Sequence, residues 1–178
     1  MNITKLFNDR FSCRNYNSID IKDEDIEKIL SDAVLAPSTN NRQPWTFTVI
    51  KNLEIKNTIA NMLNTKGVEQ DNKAFIKTAN AILEAPVLIC IFNKIVDDES
   101  ISIIQSIGAC IENMLLSATE LGISSLWIRA TSCIEEEIEQ MLDKTDEHLM
   151  ACITLGYSNE IPYEKNRNNA KSLTKWYR

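Results

Sequence analysis

Residues Pro86 to Phe92 read PVLICIF, seven residues with no polar alternation. A strand that faces water on one side alternates apolar and polar residues, because successive side chains point to opposite faces of the sheet. An unbroken apolar run suits a strand covered on both faces. PVLICIF therefore predicts a central strand with structure packed above and below it. Working outward, MACITLGY (Met150 to Tyr157) reads as a second buried strand. TFTVI (Thr46 to Ile50) and SSLWI (Ser124 to Ile128) supply two more from β-branched and aromatic residues.

The segments between these strands carry helical periodicity. Ile26, Ile29, Leu30, Ala33 and Val34 recur at helical spacing between Asp20, which can cap the helix, and Pro37, which stops it. Leu53 to Leu63 and Lys73 to Leu83 read as helices separated by a loop over Thr65 to Asn72, and Glu135 to Leu142 as a short amphipathic helix. Ile101 to Leu121 is the longest candidate, closed by Gly122 as C-cap. Its apolar residues cover most of the circumference, which predicts burial in the core or in a subunit interface. Helices and strands interleaved around a small sheet define an α+β protein.

At 178 residues the expectation is a single domain, 1–178, with one well-buried core. The longest apolar uncharged stretch, Ser100 to Ile111, is too short to cross a bilayer, and the N-terminus lacks the apolar core of a signal peptide. The reading is of a soluble cytoplasmic protein with no membrane partner. Five scattered cysteines without a C-x-x-C pair suit reduced thiols, and those inside apolar runs act as small hydrophobes. A lone His148 gives no zinc cluster, and four distant glycines write neither G-x-G-x-x-G nor a Walker loop.

Charge is uneven along a chain of net −6. Lys165, Arg167, Lys171, Lys175 and Arg178 fall among the last fourteen residues with no acid, so the rest carries about −11. No aromatics interleave with a basic patch, which argues against nucleic acid as a partner. At the other end, RFSCRNY sets Arg10, Ser12 and Arg14 at alternate positions. In an extended segment they project from one side as a row of donors, with Cys13 opposite. APSTNNRQPW (Ala36 to Trp45) adds hydroxyl and amide side chains between two prolines, a stiff loop suited to a polar heteroaromatic edge or to a helix stop.

The pattern R-x-S-x-R-x-Y, followed by A-P-S-x-x-N-x-Q-P-W-x-F, resembles the nitroreductase family of FMN-dependent oxidoreductases. The likeness continues in order through Gly108 to Ile128, LGY at Leu155 to Tyr157 and KNR at Lys165 to Arg167. It implies a nitroreductase-like α+β fold: a small, mixed, mainly antiparallel sheet surrounded by helices in a domain-exchanged homodimer. FMN would lie at the subunit interface. By this resemblance Arg10 and Ser12 match positions for the FMN phosphate, Lys165 and Arg167 close over the same phosphate, and Arg14 reaches the ribityl and pyrimidine side. Pro37, Ser38, Thr39 and Asn41 match a loop given to the partner subunit's flavin, and Trp127, Ile128 and Arg129 a loop beside the isoalloxazine ring.

The chain departs from the family at WIRA (Trp127 to Ala130), where Gly or Pro is common. Asn72, Lys73, Lys77 and Asn80 compete for one more flavin contact. The implied activity is ping-pong transfer from NADH or NADPH through flavin N5 to a small nitroaromatic or quinone-like acceptor, with no catalytic side chain and no metal required. Alternatives on the same fold are a dehalogenase, an enone reductase, an enzyme with another electron donor, or a flavin-storage protein.

Overall fold

A computed structural model of the protein describes residues 2–95 and 101–178. Strands β1 (Trp45–Ile50), β2 (Val87–Asn93), β3 (Ser124–Ile128) and β4 (His148–Gly156) form one sheet in the order β1-β2-β4-β3, with each neighbouring pair antiparallel. The parallel element is an isolated bridge from Ser12 to Ser125, which lays the N-terminal arm on the β3 edge.

All seven residues of β2 are buried, as PVLICIF predicts. Val87, Ile89 and Ile91 enter one core, and Leu88, Cys90 and Phe92 enter a second on the other face. The first core is roofed by helices α2 (Asp23–Ala33) and α5 (Ile101–Glu120). The second is covered by α3 (Leu53–Glu69), α4 (Lys73–Glu84) and α6 (Glu135–Met141). Each large side chain so buried contributes about 1.5–3 kcal/mol, so the sheet centre is the main source of stability.

Three features near the helices differ from the sequence reading. Lys22, rather than Asp20, is the N-cap of α2. The Asp20 carboxylate instead accepts from the Ile21 amide and from Lys51, while Asp23, Glu24 and Asp25 complement the helix dipole. The loop expected over Thr65 to Asn72 is mostly helix, because α3 runs on to Glu69. Gly67 explains this: a Cβ there would lie 2.9 Å from Ile76 Cγ1, so the glycine lets α3 pack closely on α4. Lastly, a helix α1 (Ile3–Asp9) precedes the arm. It buries no residue, hence left no apolar stripe to read.

Helix α5 turns Ile103, Ile107, Cys110, Ile111, Met114, Leu115 and Ala118 into the first core, and Gly122 closes the turn with φ of +73°. Burial pushes the Cys110 thiol up to about 12. Ile101 and Ile104 stay exposed on its outer side. Among the described residues α5 alone is long and apolar enough to cross a membrane, and half of that stretch is buried in this fold. Ser100, where the longest apolar run begins, lies outside the described residues.

Candidate flavin and phosphate site

The arm is fixed from beneath. Cys13 is fully buried, and its amide donates to the Ser125 carbonyl at 3.0 Å. The Tyr16 hydroxyl donates to the Cys13 carbonyl at 3.1 Å and shares a 2.8 Å hydrogen bond with Thr154 Oγ1. Burial pushes the Tyr16 phenol far above its usual range, so it stays protonated. Gly156 at the end of β4 makes room for this ring, since a Cβ would sit 2.6 Å from Tyr16 Cδ1. With Cys13 pointing in, Ser12 and Arg14 point out, as alternation requires.

Ser12 and Arg14 line a cavity of about 530 Å³, a size suited to a small-molecule ligand. Arg14 Nη1 donates to the Ser12 carbonyl at 3.2 Å, which holds the guanidinium near the cavity wall. The opposite wall belongs to α4, from which Lys77, Asn80 and Glu84 face in. This separates the four competing residues of the middle region. Asn72 is the N-cap of α4, accepting from the Ala74 and Phe75 amides, whereas Lys77 and Asn80 reach the cavity. Lys73 is not among the lining residues.

Arg10 does not share this cavity, so the expected single row of three donors is divided. It is the C-cap residue of α1, and its Nε lies 3.7 Å from Glu112 Oε1 on α5. Lys165 Nζ donates to the Phe7 and Asn8 carbonyls, 2.7 Å each, at the end of the same helix. Burial, and then the charges of Arg10 and Arg167, hold the Lys165 ammonium below the usual lysine range. Arg10, Lys165 and Arg167 thus come from opposite ends of the chain to one place. Phe11 and Tyr163, both in the cavity wall, pack edge to face beside them with centroids 6.3 Å apart.

The remaining predicted residues lie elsewhere on the chain. Pro37, Ser38, Thr39 and Asn41 are outside the cavity lining. Their loop is anchored by the Thr39 amide on Ser106 Oγ of α5, 3.1 Å, and by the Gln43 amide on Ser38 Oγ, 3.0 Å. Asn40 and Asn41 take positive φ, which asparagine tolerates. Trp127 is 43% exposed, with its ring beside Gly108 on the outer side of α5. The Ile128 side chain is buried in the second core, leaving only its backbone to meet a ligand. Arg129 lines a separate hollow of about 270 Å³ with Glu135 and His148.

Sequence reasoning passed over Glu84 and Glu160. Both carboxylates line the cavity, and both hold the arm: Glu84 accepts from the Tyr16 amide, and Glu160 from the Arg14 amide and the Asn15 side chain. Burial alone would raise the Glu160 carboxyl, but hydrogen bonds from Asn15, Cys13 and the Arg14 amide bring it below its ordinary value. No local signal marks either residue, because each partner is more than sixty positions away.

The sheet is walled by helices, and the cavity lies between the N-terminal arm, α4 and tail residues Glu160, Ile161 and Tyr163. The sequence model of the nitroreductase family matches residues 8–157, and the chain belongs to that family. A protein of Archaeoglobus fulgidus, provisionally named an NADH dehydrogenase/NAD(P)H nitroreductase, is 36% identical over 124 residues, covering 70% of this chain and 65% of its own length. A BluB-like flavoprotein from Clostridium difficile 630 superimposes with a TM-score of 0.82 at 27% identity over the whole of both chains. A nitroreductase with bound FMN from Desulfitobacterium hafniense DCB-2 does so with a TM-score of 0.80 at 22% identity, again over the whole of both, and shares the fold.

Proposed function

We propose that this chain is an FMN-dependent oxidoreductase that takes reducing equivalents from NADH or NADPH and passes them, in ping-pong order, to a small nitroaromatic or quinone-like acceptor. The whole chain, 1–178, would act as one domain in a cytoplasmic homodimer. The observation that carries the reading is Lys165 hydrogen-bonded to the end of α1 beside its C-cap Arg10, with Arg167 two residues on, near a cavity lined by Ser12, Arg14, Lys77 and Asn80. Like charges brought together are costly unless an anion occupies the place between them, and a guanidinium fork pairs well with phosphate oxygens.

Each group then has a task. Arg10, Lys165 and Arg167, with Ser12, hold the phosphate. Arg14, Lys77 and Asn80 face the ribityl and pyrimidine side, where positive charge favours the reduced, anionic ring system and raises its potential. Bound FMN would supply the redox chemistry through its N5. The backbone of Trp127, Ile128 and Arg129 would border the ring. No acid or base side chain is required, since protons can come from water.

A second copy completes the site. Pro37, Ser38, Thr39 and Asn41 lie outside the cavity of their own chain and would serve the flavin of the partner. Covering the outer side of α5 would also bury exposed Leu35, Ile104 and Trp127, 77%, 51% and 43% accessible. Such a face fits an isologous two-fold contact.

The test is the visible spectrum of the purified protein, taken anaerobically before and after NADH or NADPH. Oxidised-flavin bands that bleach are the expected result. Bands that persist would point to another donor or a storage role, and absence of bands after incubation with FMN and removal of the unbound excess would overturn the reading. In mixed dimers, Asn41→Ala should weaken only the site to which that loop is donated.

A further inference from the structure

The two ends of the chain are zipped together. The arm runs forward from Phe7 to Asn17 while the tail runs back along it from Lys165 to Tyr157. The Asn17 amide donates to the Tyr157 carbonyl at 2.7 Å, and Ser158 Oγ to the Asn15 carbonyl at 2.7 Å. The Glu160 amide donates to Ser158 Oγ at 3.0 Å, and the Glu160 carboxylate accepts from the Asn15 side chain and the Arg14 amide. Phe11 meets Tyr163, and Lys165 meets the carbonyls of Phe7 and Asn8. Contacts recur along the whole overlap, yet no strand ladder forms and the tail half is largely exposed, Ile161 at 83% and Tyr163 at 59%.

This zipper is opposed at its far end. Closing it carries Lys165, with Arg167 two residues beyond it on the tail, up to Arg10, where Asp9 and Glu112 are the neighbouring counter-charges. Hydrogen bonds draw the tail in, while like charge between Arg10 on the arm and Lys165 and Arg167 on the tail opposes the approach. A dianion at the cations would remove the opposition, and a phosphate monoester carries about −1.5 to −2 at neutral pH.

We propose that arm and tail form one ligand-linked unit, in which Asn17, Ser158 and Glu160 are positioning residues that draw residues 157–167 along the arm, and a phosphate monoester at Arg10, Lys165 and Arg167 completes the closure. The inference rests on the flavin reading above and adds to it: the segment that recognises the phosphate is itself fastened by the phosphate. Linkage makes the effect reciprocal, so loosening the zipper weakens phosphate binding by the same factor.

The experiment compares hydrogen exchange in the flavin-free protein, with saturating FMN, and with riboflavin, which lacks the phosphate. FMN should slow peptides spanning 157–164 and 7–17 together while β2 stays unchanged. Riboflavin should bind without slowing the tail, or fail to bind. Asn17→Ala combined with Ser158→Ala removes the Asn17 Nδ2 bond to Asn159 Oδ1 and the Ser158 hydroxyl's bonds to Asn15 and Glu160, touches neither the cavity lining nor the cation cluster, and should weaken FMN binding about tenfold. Tail exchange that is equal with and without FMN, riboflavin protecting the tail as well as FMN, or a double variant binding FMN like the parent would each overturn the proposal. Wild-type protein that binds no FMN at all would instead remove the flavin reading, and this inference with it.

Discussion

Strand β2 and the arm from Arg10 to Asn17 are both largely extended, but their side chains end in different places. In β2 both directions lead into a core, and every residue is buried. In the arm Cys13 leads inward, while Ser12 and Arg14 lead to a cavity. The strand is held by its ladders to β1 and β4 and by apolar burial on both faces. The arm is held by hydrogen bonds to Ser125, Thr154, Glu84 and Glu160, groups exchanged with water at small net gain. One region is fixed by the core alone; the other, on the proposal above, would respond to what binds there.

The largest expected effect tests the strand. Ile89→Ala should destabilise the protein by about 2–5 kcal/mol, read as a lower denaturant midpoint, with flavin affinity unchanged in the fraction that remains folded. Loss of affinity without loss of stability would break the division between core and arm. The mirror experiment is Arg10→Ala with Arg167→Ala. Charge-assisted hydrogen bonds contribute about 1.5–3 kcal/mol each, so loss of two should lower FMN affinity by at least about a hundredfold while thermal unfolding of the flavin-free protein barely moves. Full retention of FMN in that variant would remove the phosphate clamp.

Gly156→Ala sharpens the boundary, because Gly156 lies where β4 touches Tyr16 of the arm and Pro86 before β2. The added methyl would sit 2.6 Å from the Tyr16 ring and 2.8 Å from Pro86 Cδ. The expected cost is about 1–3 kcal/mol, together with weaker flavin binding, measured by denaturation and titration of the same sample. The smallest effect is one of pH. The folded Glu160 carboxyl lies below its ordinary pKa of 4.5. Its contribution to docking the tail is therefore full above that ordinary value and lost as pH falls through the lower folded one. Exchange at 157–163, corrected for intrinsic rates, should rise over that acid window. Glu160→Gln should flatten the step.

Hydrophobic patterning carried most of the architecture because it is a local signal. PVLICIF, SSLWI, the α5 periodicity and the Gly122 stop each depend on residues within a few positions of one another, and so does the inward Cys13 between two outward donors. What the tertiary structure alone decided involves partners distant in the chain. Helix α1 ends on carbonyls capped by Lys165, α3 passes through Gly67 because α4 approaches closely there, and Lys77 and Asn80 are chosen over Asn72 and Lys73 by how α4 faces the arm. Glu84 and Glu160 could be recognised only once the fold had brought them to the arm. Periodicity is written in adjacent residues, whereas a charge cluster or a hydrogen-bonded clamp exists only after folding sets its members side by side.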